Sequence, residues 1–303
     1  MQLSELAKKI LRGDRRALSK GITLVENKRE EASKLLRMLK LSSHAFIVGV
    51  TGPPGTGKST LVNRLIELYR KKGLRVGVLA VDPTSPITGG ALLGDRIRMG
   101  SHAGDRSVYI RSMASRGWSG GLSRATSQAI QLLDSAGFDI ILLETVGIGQ
   151  TDMEVVGVSH AVLVVLMPGL GDDVQVSKAG LMEIGDLYVV NKADMEGSDS
   201  LVVSLLGVVR GMKSRSPPVI KVSAITGEGL EKLEGAIEVI RSRFDHGELD
   251  LKLRSIRGMI IETARWTLME RLDLVSQVKA ERLARLVVRG KLSIDKAAAS
   301  LAR

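Results

Sequence analysis

The chain has 303 residues, 44% of them hydrophobic, a mean hydropathy of +0.11 and no cysteine. That length can bury a substantial core in one or two domains, and the lack of cysteine excludes disulfides, zinc–thiolate sites and thiol chemistry together. No apolar run reaches membrane-spanning length, and the opening MQLSELAKKILRGDRR lacks the apolar segment of a signal peptide, so a cytoplasmic location is expected.

The formal charge of +11 is concentrated in the flanks: residues 1–40 carry +6, residues 245–303 carry +4 and the middle only +1. Aromatic residues make up 3%, which leaves little on which to stack bases. Neither nucleic acid nor a membrane is therefore an expected partner. The basic flanks are either solvated helix faces or a docking surface for an acidic protein.

In chain order, residues 3–12 and 14–40 have the spacing of two helices, the second with an apolar stripe of Leu24, Ala32, Leu35, Leu36 and Leu39. From residue 41 the pattern alternates. Strands are predicted at 45–51, 75–81, 108–111, 138–144, 161–167, 187–191 and 219–222; helices at 58–72, 121–136, 174–184, 200–213 and 229–243. The expectation is an α/β protein, a mostly parallel sheet covered on both faces, with ligands at the C-terminal ends of the strands. After residue 245 the chain turns helical again, at 251–275, 276–290 and a short helix capped by Ser293. Two apolar sides on the first of these, Ile261, Leu268, Leu272 and Val275 and then Ile256, Ile260 and Ala264, suggest a dimer interface. The expected division is a helical extension (1–40), a nucleotide-binding domain (41–244) and a helical dimerisation arm (245–303).

The stretch Gly52–Thr60, GPPGTGKST, lies between a predicted strand and a predicted helix. That context makes it a phosphate-binding loop. Backbone N–H groups at Gly55, Thr56, Gly57, Lys58, Ser59 and Thr60 would curl round an anion at a helix N-terminus. Lys58 would bridge the β- and γ-phosphates, and the Ser59 hydroxyl would ligate Mg²⁺. Asn191-Lys192-Ala193-Asp194 follows a later strand. The Asp194 carboxylate can accept both N1–H and N2–H₂ of guanine, whereas against adenine it would stay unpaired. Lys192 would lie along the base plane and Asn191 would brace the loop. A backbone N–H of Ser223, Ala224 or Ile225 would meet guanine O6. The expected ligands are GTP and GDP.

Hydrolysis would be controlled at Glu144-Thr145-Val146-Gly147, where Glu144 would hold a metal-bound water and Gly147 would meet the γ-phosphate. Ile148, just after that glycine, cannot orient a water. Gln150 either takes over that task or is a surface residue of the loop. Slow intrinsic turnover with acceleration by a partner is expected. The dense segment 82–99 offers Asp82 and Asp95 to Mg²⁺, and Arg98 or Arg96 to transition-state charge; the alternative for 95–98 is a helix cap with surface charges.

With these pieces together, the chain resembles the MeaB/ArgK group of GTPases, chaperones of adenosylcobalamin-dependent methylmalonyl-CoA mutase. The resemblance covers nearly the whole chain. It rests on GPPGTGKST (52–60), VLAVDPTSPITGGALLGDRIRM (78–99), SMASRG (112–117), GGL (120–122), ETVGIGQ (144–150), PGLGDDVQVSKAG (168–180) and NKAD (191–194). It implies a P-loop GTPase fold, a homodimer joined largely by C-terminal helices, and Mg²⁺·GTP with Asp82, Asp95 and Glu144 around the metal. It also implies an extra switch loop at 168–178, in which Asp172, Asp173 and Lys178 form alternative ion pairs. Trp118-Ser119 and Thr151-Asp152 depart from the His-Leu and Ser-Glu of many relatives. His-rich or Cys-x-Cys-Cys metal-delivery motifs are absent from the sequence. The competing reading is a kinase linked to a periplasmic amino-acid transport system.

Overall fold

The β-branched runs form seven strands: β1 (Phe46–Thr51), β2 (Val76–Asp82), β3 (Val108–Ala114), β4 (Ile140–Thr145), β5 (Ala161–Leu166), β6 (Leu187–Val190) and β7 (Val219–Lys221). The computed structural model describes residues 2–27, 29–39, 44–82, 102, 104–114, 124–145, 155–169, 181–212, 216–273 and 277–301. All strands lie in one sheet, in the order β3-β2-β4-β1-β5-β6-β7, and every neighbouring pair is parallel. The helices are α1 (Leu3–Leu11), α2 (Arg15–Asn27), α3 (Arg29–Met38), α4 (Lys58–Lys71), α5 (Arg124–Ser135), α6 (Ser198–Arg210), α7 (Leu230–Asp245), α8 (Leu249–Asp273), α9 (Gln277–Val288) and α10 (Ile294–Leu301).

Every residue of β1, β4, β5 and β6 is buried. Helices on both faces cause this, which is why these strands read as apolar runs broken only by Thr51, Glu144 and Thr145 at their C-terminal ends. On one face Phe46, Val48, Val50, Leu163 and Val165 pack with Leu61, Leu65 and Tyr69 of α4 and with Leu233, Ile237 and Phe244 of α7. On the other, Val162, Val164, Tyr188 and Val190 pack with Leu205 and Val209 of α6. Alternate residues of β5 thus feed opposite cores, as a period of two requires. The N-terminal helices pack on one another and on α5.

Three elements differ from expectation. β3 runs on to Ala114 because Ser112, Met113 and Ala114 pair with Ala80, Val81 and Asp82 of β2. The polar Ser112, just past the expected end at Arg111, hid that extension, since a polar residue at a strand end looks like loop. Of the helix expected at 174–184, residues 181–183 form a single 3₁₀ turn and 174–180 lie outside the described residues. The stretch expected as one helix at 14–40 is helical as α2 and α3, and residue 28 between them is outside the described residues.

The chain divides into two compact units, Met1–Gly258 and Met259–Arg303. In the second, α9 and α10 pack together, and Ser293 Oγ accepts from Lys296 N at 3.3 Å, the expected cap. Ile260, Ile261 and Leu268 of α8 are solvent-exposed. Among the described residues no helix is long and apolar enough to cross a membrane.

At the opposite end of the strands from the predicted ligand loops, a buried imidazole ties three elements together. Ile47 N donates to His160 Nδ1 at 2.9 Å, so the ring proton sits on Nε2, which lies 2.8 Å from Ser255 Oγ of α8. The ring packs on Phe46 and Phe244, with centroids 5.6 and 4.3 Å away. Burial, reinforced by the nearby Arg254 and Lys252 charges, pushes its pKa down to about 3. The folded state therefore keeps His160 neutral, while the unfolded chain takes up a proton below about pH 6.5. Its contribution is complete above that pH and is lost as the pH falls from 6.5 toward 3, by about 1.4 kcal/mol per unit. His160→Asn keeps an acceptor for Ile47 N but cannot titrate. Between pH 7.5 and 5 its urea-unfolding free energy should fall by about 2 kcal/mol less than that of the wild type. Parallel pH profiles would remove His160 from the acid response.

Candidate functional site

β1 lies at the centre of the sheet, with β4 on one side and β5 on the other. The chain leaves β1 toward β2 and later crosses back from β4 to β5. The crevice at the end of β1 is therefore a topological switch point, where such sheets bind ligands. The loop Gly52–Gly57 fills it, and α4 starts at Lys58. Gly52 has φ 133°, and a Cβ there would stand 2.0 Å from Val165 O. Gly57 has φ 85°, and its Cβ would stand 2.4 Å from Asn191 Nδ2. A side chain at either position would push the loop off its supports.

Lys58 is buried, and its ammonium donates to Gly52 O at 2.8 Å and Pro53 O at 2.9 Å. The charge is thus held across the mouth of the loop, beside the partial positive charge of the α4 N-terminus. Thr56 Oγ1 donates to Pro53 O at 2.9 Å and stiffens the same turn. Ser59 Oγ donates to Glu144 Oε1 at 2.6 Å. Glu144, 5% exposed, is the penultimate residue of β4, beside β1 and paired in register with Val50. Thr51 and Thr145 meet through their hydroxyls at 3.2 Å under this pair. A hydroxyl and a carboxylate at the foot of a phosphate loop are the oxygen donors that Mg²⁺ accepts while keeping waters and phosphate oxygens. The donor set therefore fits Mg²⁺. Among the described residues no group of three or more metal-ligating side chains is gathered.

Asn191, 2% exposed, joins this half of the site to the other. Its Nδ2 donates to Thr56 O at 2.8 Å, and its Oδ1 accepts from Ala224 N at 3.1 Å. Lys192 follows with φ 58°, the one non-glycine residue in the left-handed region among those described. Asp194 is exposed, and Ser223 Oγ donates to its Oδ1 at 2.6 Å. That bond, then its own backbone N–H and the Lys192 charge, lower the Asp194 pKa, so it is ionised at neutral pH. Ser223 N donates to Glu228 O at 2.9 Å and Gly227 N to Ser223 O at 2.8 Å, which close the loop after β7. Gly55 and Thr60 lie on the exposed side of the phosphate loop, and Ile225 is exposed at the tip of the last one.

The structure therefore brings together Lys58, Ser59, Glu144, Asn191, Lys192, Asp194 and Ser223–Ile225 at the C-terminal ends of β1, β4, β6 and β7. Asp82 ends β2, where its backbone pairs with Ala114, but its side chain is not among the described groups. Asp95, Arg96, Arg98, Gly147, Ile148, Gln150, Asp172, Asp173 and Lys178 lie outside the described residues. Sequence reasoning missed Arg64 of α4, which donates from Nε to Ala224 O at 2.9 Å and from Nη2 to Ile225 O at 3.0 Å. One arginine among several cations on a helix gives no signal of such a partner. A separate cavity of about 680 Å³ opens at the other end of the strands, lined in part by His160, Asp186, Pro218, Ile240, Arg243 and Arg254. Arg254 pairs with Asp186 and Arg243 with Glu248.

Replacing Asn191 by alanine would strand the buried Thr56 O and Ala224 N. The expected cost is about 2–6 kcal/mol of folding stability, two unsatisfied backbone groups at about 1–3 kcal/mol each. Urea unfolding measures it; a loss below about 0.5 kcal/mol, the usual limit for surface changes, would mean that the two loops do not depend on this side chain.

With this geometry in place, comparison with known proteins identifies the family. A family model described as methylmalonyl-CoA mutase-associated GTPase MeaB matches residues 18–280. A Pyrococcus horikoshii protein named as a GTPase is 46% identical over 293 residues, covering 91% of this chain and 92% of its own. The mouse methylmalonic aciduria type A homolog, a mitochondrial protein, is 37% identical over 246 residues, covering 74% of this chain and 59% of its own. The crystal structure of a LAO/AO transport system kinase superposes with a TM-score of 0.71 at 24% identity, covering 99% of this chain and 96% of the other, and establishes likeness of fold. The chain belongs to the MeaB family of methylmalonyl-CoA mutase-associated GTPases, and is itself a GTPase on a P-loop α/β fold.

Proposed function

We propose that this GTPase binds Mg²⁺·GTP at the site described, hydrolyses it slowly alone, and gates cofactor loading and protection of an adenosylcobalamin-dependent acyl-CoA mutase, methylmalonyl-CoA mutase in the first instance. The observation that carries the nucleotide chemistry is the Ser59–Glu144 hydrogen bond of 2.6 Å beside the Lys58 loop. Ser59 would ligate the metal and Glu144 would hold one of its waters, with Asp82 and Asp95 contributing from the loop after β2. A bound Mg²⁺ would supply charge neutralisation at the phosphates. Lys58 would exchange its two loop carbonyls for the phosphates. Gly147 would meet the γ-phosphate, Gln150 would orient water, and Arg98 would stabilise charge in cis. Asp194 and the amides of Ser223–Ile225 would read guanine.

The mutase as partner is supported by the description of the matching family. A homodimer is supported by the exposed apolar residues Ile260, Ile261 and Leu268 on α8, which a second copy would cover. The extra switch at 168–178 would carry the signal, and the expected compartment is the cytoplasm. The reading as a transport-system kinase takes its support from the LAO/AO transport system kinase, and that likeness is one of fold alone.

The test is GTP turnover by the purified chain with and without saturating mutase. Alone, the rate should lie well below the roughly 1–100 s⁻¹ typical of kinases. Mutase should raise it, and Lys58→Ala should abolish it in both conditions. An unchanged rate on adding mutase would contradict the partner assignment.

A further inference from the structure

We propose that Arg64 is a specificity-determining positioning residue, which sets the Ile225 amide of the Ser223–Ile225 loop against the six-oxo group of guanine from its place on the phosphate-loop helix. The proposal rests on the guanine reading above and adds to it a residue that no motif contains. Arg64 uses all three guanidinium nitrogens: Nε to Ala224 O at 2.9 Å, Nη2 to Ile225 O at 3.0 Å and Nη1 to Glu67 Oε2 at 3.0 Å. A solvated helix arginine has no need of two successive carbonyls on a distant loop. A rigid fork is suited to holding them, and a lysine cannot reproduce it.

The consequence follows from peptide geometry. A peptide unit is planar and trans, so its C=O and N–H point in opposite directions. By holding Ala224 O, Arg64 fixes the plane that also carries Ile225 N–H. The other loop amides are already engaged: Ser223 N with Glu228 O, Ala224 N with Asn191 Oδ1, Thr226 N with Ser223 Oγ and Gly227 N with Ser223 O. Ile225 N–H has no acceptor among the described residues. Beside it Asp194, fixed by Ser223 Oγ, presents the acceptors for the base's donor edge. The acceptor adjoining that edge is O6, and the donor to meet it belongs to the peptide that Arg64 holds. The same arginine sits on α4, whose first residues form the phosphate site, so base and phosphate readers share one rigid mount.

Calorimetric titration of GDP, 6-thio-GDP, IDP and ADP separates the contributions. The thio analogue keeps both guanine donors and weakens only the six-position acceptor; IDP keeps O6 and loses the 2-amino group that Asp194 accepts. The wild type should prefer GDP over 6-thio-GDP by about tenfold, the worth of one hydrogen bond. In Arg64→Ala that ratio should fall below about threefold, while the GDP-to-IDP ratio stays within about twofold of wild type. Arg64→Lys keeps the charge and one donor group and should fall between the two; it carries the test if the alanine variant does not fold. An unchanged thio ratio in both variants overturns the proposal, as does weakening of all nucleotides by a common factor, which would mean a purely structural role. Equal wild-type affinities for GDP and ADP would instead overturn the guanine reading and this proposal with it.

Discussion

The site depends on one buried side-chain amide. Asn191 donates to the carbonyl of Thr56 in the phosphate loop and accepts from the amide of Ala224 in the loop after β7. These three segments follow different strands: Ala193 N donates to Val222 O and so joins the loops after β6 and β7, and Asn191 adds the phosphate loop to that pair. A buried amide with both ends paired does so, because leaving either backbone group unpaired would cost the full desolvation penalty. An aspartate in its place would present a second acceptor to Thr56 O. The close fit of Gly57 against Asn191 Nδ2 belongs to the same constraint, since any side chain there would displace the amide.

The remaining parts of the site can be understood from that tie. Glu144 reaches Ser59 because β4 and β1 are paired in register as far as Val50 and Glu144, which places a carboxylate beside the start of α4. Asp194 is exposed, yet it is held in one orientation and kept ionised by Ser223. An exposed carboxylate needs such a clamp to act as a reader, because a freely rotating one would lose affinity to conformational entropy. In our reading the phosphate half supplies affinity and charge control, and the base half supplies selectivity. Lys192, in the left-handed region between Asn191 and Asp194, is the backbone strain that lets one side chain point inward and the other outward.

Much of this was legible in the chain. AVLVVL of β5 and the IILL that opens β4 are continuous apolar runs because both faces are covered, and a period of two is then invisible but the buried run is not. The glycines of GPPGTGKST announced their backbone geometry directly. What remained hidden were contacts between segments far apart in sequence. Arg64 looks like any helix-surface cation until the loop it grips is folded beside it. Ser112, Met113 and Ala114 looked like loop until β2 was seen pairing with them. His160, a lone histidine before a strand, gave no sign that it would be buried between two aromatic rings and tied to a helix almost a hundred residues later.

The central claim is that the frame tied at Asn191 aims the Asp194 carboxylate at the donor edge of guanine. Xanthine differs from guanine at that edge by carrying an oxygen where guanine has the 2-amino group, so an amide in place of the carboxylate should complement it. The most direct measurement is therefore calorimetric binding of XDP and GDP to Asp194→Asn. The account predicts that the variant loses GDP and gains XDP, with the preference reversed by at least about tenfold in each direction relative to wild type. A gain of affinity cannot come from misfolding. An Asp194→Asn protein that keeps the wild-type preference for GDP would contradict the account.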